Sequence, residues 1–449
     1  MQMQSSCSLP RPKSPPMARS SIIPSSLSDV LVFTAGAFLA LLIFLGLYSF
    51  LSPTPIPNRL FSFSPSFSST SSHIDDTYDP PDETFYDDPT LTYTIDKSIS
   101  NWDEKRRHWL KLHPSFSGGR ERILMVSGSQ PYPCRSYHGD HLLLRSLKNK
   151  ADYCRLHGIE LFYNTALLNP SMNFFWAKIP VIRAAMLAHP EADWIWWVDS
   201  DAIFTDMEFS LPLDRYRAHN LVLHGWPELV YKKKSWCSLN AGVFLIRNCQ
   251  WSFDFMDEWA SMGPQSPDYE KWGKLQTSTF KDKMFPNSDD QSGLVYLILT
   301  GRGGWRDKIY LENEYYFQGY FAEIVGRLEN ISARYIEEER QGPAVLRRRH
   351  AERVFASYAK EMNVQLGKQK GADTGPTGWR RPFVTHFTGC QPCSGDRNKV
   401  YSADNCTLGM YKALNFADDQ VLRIYGFRHA SLVSADVQPL PFDYPRSEE

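Results

Sequence analysis

The chain has 449 residues, 42% of them hydrophobic and 14% aromatic, so it can bury a large core and a chain without a fixed fold is excluded. Lys and Arg total 49 against 50 Asp and Glu, a formal net charge of −1, which leaves no bulk basic field to hold nucleic acid by its phosphates. Nucleic acid is therefore not an expected partner.

In chain order, the first feature is the uncharged run Val30 to Leu51, 22 residues that span about 33 Å as a helix, enough to cross a bilayer. A cleaved signal peptide has a shorter apolar region and small residues at its end, whereas Pro53 and Pro55 follow this run. An uncleaved signal-anchor is expected. Arg11, Lys13 and Arg19 precede the span, so the N-terminus faces the cytosol and everything after Leu51 is lumenal. Residues 52 to about 100 are rich in Ser, Pro and Thr, then in Asp, without apolar periodicity. The expected organisation is a cytosolic tail (1–29), a transmembrane signal-anchor (30–51), a flexible lumenal stem (52–114) and a catalytic domain (115–449), with order beginning near Trp102 to Leu112.

Ile123-Leu124-Met125-Val126 reads as the first strand, ending in the turn residues Ser127-Gly128-Ser129. A charged helical stretch at about 140 to 156, an apolar run Ile159 to Tyr163, a helix at about 176 to 188 and the strand Trp194 to Val198 follow. This β-α-β-α-β alternation predicts an α/β domain with a mostly parallel sheet flanked by helices. Ligands gather at the carboxyl ends of such strands, where Gly128-Ser129 and Asp199-Ser200-Asp201 emerge.

Asp199 and Asp201 sit between two apolar stretches, where uncompensated carboxylates are costly. Their oxygens suit Mn²⁺ or Mg²⁺, and a metal bridging a nucleoside diphosphate neutralises them and stabilises a departing phosphate. Most Asp-X-Asp tripeptides are surface turns, but the setting after Trp196-Trp197-Val198 favours the metal. Leu239-Asn240-Ala241-Gly242-Val243-Phe244-Leu245-Ile246 puts an amide and a small residue at the head of an apolar run, consistent with close approach to a sugar or with an ordinary strand entered by a turn. Asp289-Asp290-Gln291-Ser292 resembles a first helical turn, for which capping alone is a sufficient account of the acids. Val384 to Cys390 offers His386 and, three residues on, Gly389, where a backbone can approach phosphate. His386 with Cys390, Cys393 and Cys406 also fits a structural zinc site, although an oxidising lumen favours a disulfide among those cysteines. Seven cysteines fall on the lumenal side, so at least one stays free or pairs between chains. The sequons at Asn330 and Asn405 agree with a lumenal location.

The stretch from Trp196 through Asp206, then His224-Gly225-Trp226, Leu239 to Asn248, Gln250-Trp251, Trp259, Met262-Gly263-Pro264, Asp289 to Ser292 and Thr385 to Cys393, resembles plant glycosyltransferase family 34. That family contains galactomannan α-1,6-galactosyltransferases and xyloglucan α-1,6-xylosyltransferases. The resemblance implies a GT-A fold, a type II Golgi membrane topology and a retaining reaction. It implies Asp199, Asp201 and His386 as metal ligands, displacing the zinc reading. Lys178, Ser200, Asn240 and Gly389 match donor-holding positions, with Gly128 and Ser129 near the uridine. Asp289, Asp290 and Gln291 match the motif under the transferred sugar. Where the xylosyl branch commonly carries a Lys that contacts the diphosphate, this chain has Gln391.

The resemblance favours the galactosyl branch: UDP-galactose as donor, O6 of a β-1,4-mannan as acceptor, with xylosyl transfer to xyloglucan as the runner-up. A catalytically silent Golgi scaffold or glycan-binding protein is the reading from another class, and association with itself or other Golgi polysaccharide synthases is compatible with all three. His224, Trp226, Tyr231 and Trp236 lie in the interval where an acceptor groove is expected, aromatic faces packing on sugar faces, although core packing also accounts for such residues.

Overall fold

The computed structural model describes residues 84–373 and 378–445, all within the compact unit Ile74–Glu449. The expected membrane span at 30–51 lies outside the described residues, and no helix among them is long and apolar enough to cross a membrane.

The central sheet takes six strands, β1 (Ile123–Gly128), β2 (Glu160–Asn164), β3 (Trp194–Val198), β5 (Leu221–Gly225), β6 (Leu239–Arg247) and β7 (Ile309–Glu312), in the order β2-β1-β3-β6-β5-β7. Only β6 runs against the others, pairing antiparallel with β3 and β5, so the expected mostly parallel α/β sheet is what forms. Because both faces of β3 are covered, its sequence is apolar throughout instead of alternating with polar residues. Ile195 and Trp197 enter one core with Phe244 and Ile246 of β6, while Trp194, Trp196 and Val198 enter the other with Val243 and Leu245.

Helices α1 (Trp102–Leu112), α2 (Gly139–His157), α3 (Lys178–Ala188), α4 (Gln250–Ala260), α5 (Tyr269–Thr279) and α6 (Asp290–Thr300) supply the layers. α3, α4 and α6 pack on one face through Ile179, Ile182, Met186, Phe253, Trp259 and Leu294, and α2 covers the other through Tyr153 and Cys154. α2 stops at Gly158, whose φ of 64° is open to glycine without steric cost. A second small sheet joins β4 (Ala202–Phe204), β9 (Val384–His386) and β8 (Gly319–Tyr320), with β9 in the middle.

Residues 84–114, which composition assigns to the stem, are folded onto the domain. Phe85, Ile95, Ile99 and Trp102 are buried in the same core as α3 and α4. Trp102 Nε1 donates to Asn248 Oδ1 at 2.8 Å, and its backbone N–H donates to Gln250 Oε1 at 2.7 Å. Burying these four side chains is worth about 1.5–3 kcal/mol each, and the low apolar density of the segment hides it because so few anchors are widely spaced.

Candidate active site

The turn after β3 carries Asp199 and Asp201 out of the core, and the chain then re-enters it as β4. β4 pairs antiparallel with β9, placing Ala202 opposite His386. That register brings a residue 185 positions away to Asp201, with His386 Nε2 at 3.2 Å from its Oδ1 and 3.9 Å from Asp199 Oδ2. All three offer ligand atoms within 4.8 Å of one another. Trp197 Nε1 donates to Asp199 Oδ1 at 2.6 Å, which fixes the carboxylate with Oδ2 left toward His386. Burial alone would lower the pKa of the His386 imidazole, but the Asp201 and Asp199 carboxylates outweigh it and raise the pKa.

These residues fit a divalent cation. Two carboxylates and one imidazole converge, a donor set suited to Mn²⁺ or Mg²⁺. The space is kept by Gly242 of β6, where a Cβ would lie 2.3 Å from His386 Cε1 and 2.6 Å from Asp199 Oδ2. Another grouping, Glu160, His189 and Glu191, lies at the opposite ends of the strands, where His189 Nδ1 contacts Glu191 Oε1 at 2.8 Å.

Lys178, the first residue of α3, is buried and divides its ammonium among Asp290 Oδ2 at 2.7 Å, Ala241 O at 2.8 Å and Asp199 Oδ1 at 3.4 Å. It thereby joins the Asp199 turn to the motif that opens α6. Burial pushes the Asp290 carboxyl up to about 6, against the pull of the Lys178 ammonium. Asp289 faces elsewhere: it caps α6 by accepting from Ser292 N at 2.9 Å, and its other oxygen holds the buried ammonium of Lys283 and the Ser292 hydroxyl. The capping account of the acids therefore describes Asp289 and leaves Asp290 beside Lys178. Gln291 donates through Nε2 to the Trp236 carbonyl at 3.1 Å.

The remaining predicted positions divide. Asn240 accepts from Gly242 N at 2.7 Å through Oδ1, beside the ligand cluster. Gly128 ends β1 directly against Asn164, whose carbonyl would meet a Cβ at 2.3 Å and accepts from Ser129 N at 3.0 Å. Ser200 presents its carbonyl to α2. Gly389 turns the chain with φ 82°, and the exposed Gln391 accepts from Ser394 Oγ at 3.1 Å instead of meeting the acids. Trp236 reaches the α6 motif, Nε1 donating to Asp289 Oδ1 at 3.3 Å. Trp226 is 41% exposed and edges His224 at 4.7 Å, whereas His224 itself is buried and its pKa falls to about 4 by desolvation. Tyr231 packs against the core with the Arg306 guanidinium over its ring at 3.8 Å. Asn330 and Asn405 are exposed, in α7 (Leu328–Gln341) and α8 (Ala403–Leu422).

The cysteines of the last motif form Cys134–Cys393 and Cys390–Cys406, which rules out the zinc reading and ties this motif to the loop after β1 and to α8. Cys154, Cys237 and Cys249 are free. The sequence gives no role to Lys150, Ser146 or Lys283, and it shows Trp197 only as part of the apolar strand before Asp199. Gly242 carried a local signal, a small residue at the head of an apolar run, while Lys150 and Ser146 lie in a charged helical stretch with no motif around them.

Comparison with known proteins bears on the chemistry. The chain is 61% identical over 420 residues to a "Probable glycosyltransferase 7" of Oryza sativa subsp. indica, covering 93% of this chain and 92% of that one. It is 55% identical over 433 residues to "Galactomannan galactosyltransferase 1" of Cyamopsis tetragonoloba, covering 94% and 97%. To "Probable xyloglucan 6-xylosyltransferase 3" of Arabidopsis thaliana it is 43% identical over 366 residues, covering 81% and 71%. Residues 119–397 match the model of the galactosyl transferase GMA12/MNN10 family. With that match spanning the sheet, the Asp199–Asp201 turn and His386, the chain belongs to glycosyltransferase family 34 and is a glycosyltransferase.

Proposed function

We propose that this protein is a retaining α-1,6-galactosyltransferase with a GT-A fold that moves galactose from UDP-galactose to O6 of mannosyl units in a β-1,4-mannan. The observation that carries the choice of sugar is the 55% identity, over nearly the whole of both chains, to a protein named galactomannan galactosyltransferase, against 43% over a shorter span to one named for xylosyl transfer. Gln391, in place of the Lys common in the xylosyl branch, supports the same choice. Its proposed setting is the Golgi membrane, with 30–51 as a signal-anchor and the catalytic domain in the lumen.

Asp199, Asp201 and His386 would hold Mn²⁺ or Mg²⁺, which when bound offsets the charge developing on a departing UDP. Lys178 holds the Asp199 turn and Asp290 in one geometry, and Asn240 and Gly389 line the donor side. Asp290 is engaged by an ammonium at 2.7 Å, which lowers its power as a nucleophile, so front-face transfer with Gln291 near the cationic centre is favoured over a glycosyl-enzyme. Trp226 and Trp236 are the proposed acceptor platform.

The deciding experiment offers the purified full-length chain UDP-galactose or UDP-xylose with manno- and cello-oligosaccharides. Galactosyl transfer to manno-oligosaccharides is expected. Xylosyl transfer to cello-oligosaccharides alone would install the runner-up, and no transfer or UDP release with any pair would favour the silent scaffold.

A further inference from the structure

We propose that Lys150 and Ser146 of α2 are positioning residues that set the conformation of the Asp199–Ala202 turn and so the aim of the Asp201 carboxylate. The turn has four carbonyls to satisfy. Asp199 O accepts from Ala202 N at 3.1 Å, and Asp201 O accepts from Phe387 N at 3.1 Å. The other two face α2. Lys150 Nζ donates to Ala202 O at 2.8 Å and to Ser200 O at 3.3 Å, and gives its remaining hydrogen to Ser146 Oγ at 3.0 Å. The Ser146 hydroxyl in turn donates to Ser200 O.

The 200–201 and 202–203 peptide units, which bracket the Asp201–Ala202 link, are thus anchored to one ammonium. Residues 146 and 150 stand four apart, so one face of one helix supplies both groups. Lys150 is completely buried, where an ammonium is costly and a methionine would fill similar volume without that cost. What methionine lacks is the fan of three donors that these oxygens use. Rotation of the 200–201 peptide, released at Ser200 O, would swing Asp201 away from His386, now 3.2 Å from it.

This inference rests on the proposed metal site, and its test reads metal binding directly. Retention of Mn²⁺ by the full-length chain in the presence of UDP is followed by the electron paramagnetic resonance signal of free Mn²⁺. Lys150→Met is expected to weaken Mn²⁺ binding at least tenfold, since Ala202 O loses its ammonium donor, Ser200 O loses one of its two donors, and the turn relaxes. The charge alone acts in the opposite direction, because removing a cation near the site should tighten binding. Mn²⁺ affinity in Lys150→Met equal to or tighter than wild type would overturn the proposal. If Lys150→Met does not fold, Ser146→Ala decides: a melting temperature close to wild type with at least threefold weaker Mn²⁺ binding is expected, and unchanged affinity overturns it. Asp201→Ala keeps the two readings apart. Loss of Mn²⁺ in Asp201→Ala but not in the α2 variants sinks only the positioning role, whereas a wild-type chain that retains no Mn²⁺ sinks the metal site and this inference together.

Discussion

Gly242→Ala is the smallest change that probes the proposed metal site without touching a ligand. The new methyl would stand 2.3 Å from His386 Cε1 and 2.6 Å from Asp199 Oδ2, against an ordinary contact of at least 3.4 Å, so it is about 1.1 and 0.8 Å too close. Neither neighbour yields cheaply. His386 is held by the β9 register and buried, and Asp199 is tied by Trp197 Nε1 at 2.6 Å and by its own N–H to Gly242 O at 2.8 Å. Overpacking of this kind costs about 1–3 kcal/mol of stability, which a domain of this size tolerates. The larger effect falls on transfer, because a displacement of about 1 Å in a catalytic constellation costs on the order of 100-fold, or about 2.7 kcal/mol of barrier. The assay is UDP release by the full-length chain across a Mn²⁺ titration, with Gly326→Ala as control because a Cβ there meets nothing within 4 Å. Gly242→Ala should fold, with transfer reduced about 100-fold and Mn²⁺ binding weakened, while Gly326→Ala stays at wild type. A Gly242→Ala enzyme with wild-type rate and metal affinity would refute the placement of the cation between Asp199, Asp201 and His386.

Asp199→Ala and Asp201→Ala should each reduce transfer by orders of magnitude with the fold retained, and full activity of either variant in the presence of a chelator would reject the ligand assignment. Asp290 gives a pH signature: its folded pKa of about 6 lies above the reference of 3.8, so the folded state binds the extra proton between these values and stability falls as pH rises through that window. The slope amounts to roughly 3 kcal/mol in total, and urea unfolding at pH 4 and pH 7 should show a smaller pH difference for Asp290→Asn than for wild type; identical differences would count against a buried, proton-binding Asp290. Removing the Cys390–Cys406 link, a separation of 16 residues, by Cys390→Ser with Cys406→Ser should cost about 3 kcal/mol. Thermal unfolding in matched buffers checks this, and an unchanged melting temperature would contradict it.

Much of the domain was legible locally. The strands Ile123–Gly128, Glu160–Asn164 and Trp194–Val198 and the helices Gly139–His157 and Lys178–Ala188 fall where hydrophobic runs and turn residues placed them; for Ile123–Gly128 and Trp194–Val198 the reason is burial on both faces of the sheet, which leaves unbroken apolar runs. Asp199 and Asp201 were legible for the same reason, as charges at the end of such a run. Order from Trp102 to Leu112 was legible as well, but the docking of 84–101 was not, since Phe85, Ile95 and Ile99 are isolated anchors in a polar segment and only their contacts reveal them.

By itself, then, the sequence determined the α/β alternation, the carboxylate pair and the family, since these depend on neighbours in the chain and on motifs in order. Tertiary structure alone decided the contacts made across long separations. The β4–β9 register carries the His386 ring to Asp201, and a helix face spaced four residues apart turns Lys150 and Ser146 under the Asp199–Ala202 turn. It also decided which of two adjacent acids is joined to the Asp199 turn, because Asp289 turns to Lys283 and its own helix end while Asp290 turns to Lys178, which also reaches Asp199. Cysteine pairing belongs to the same class, Cys134 finding Cys393 across 259 residues. The physical reason is common to all of them: a side chain's partner is set by how the sheet and helices dock, and that docking is fixed by the whole buried core, not by any local run of residues.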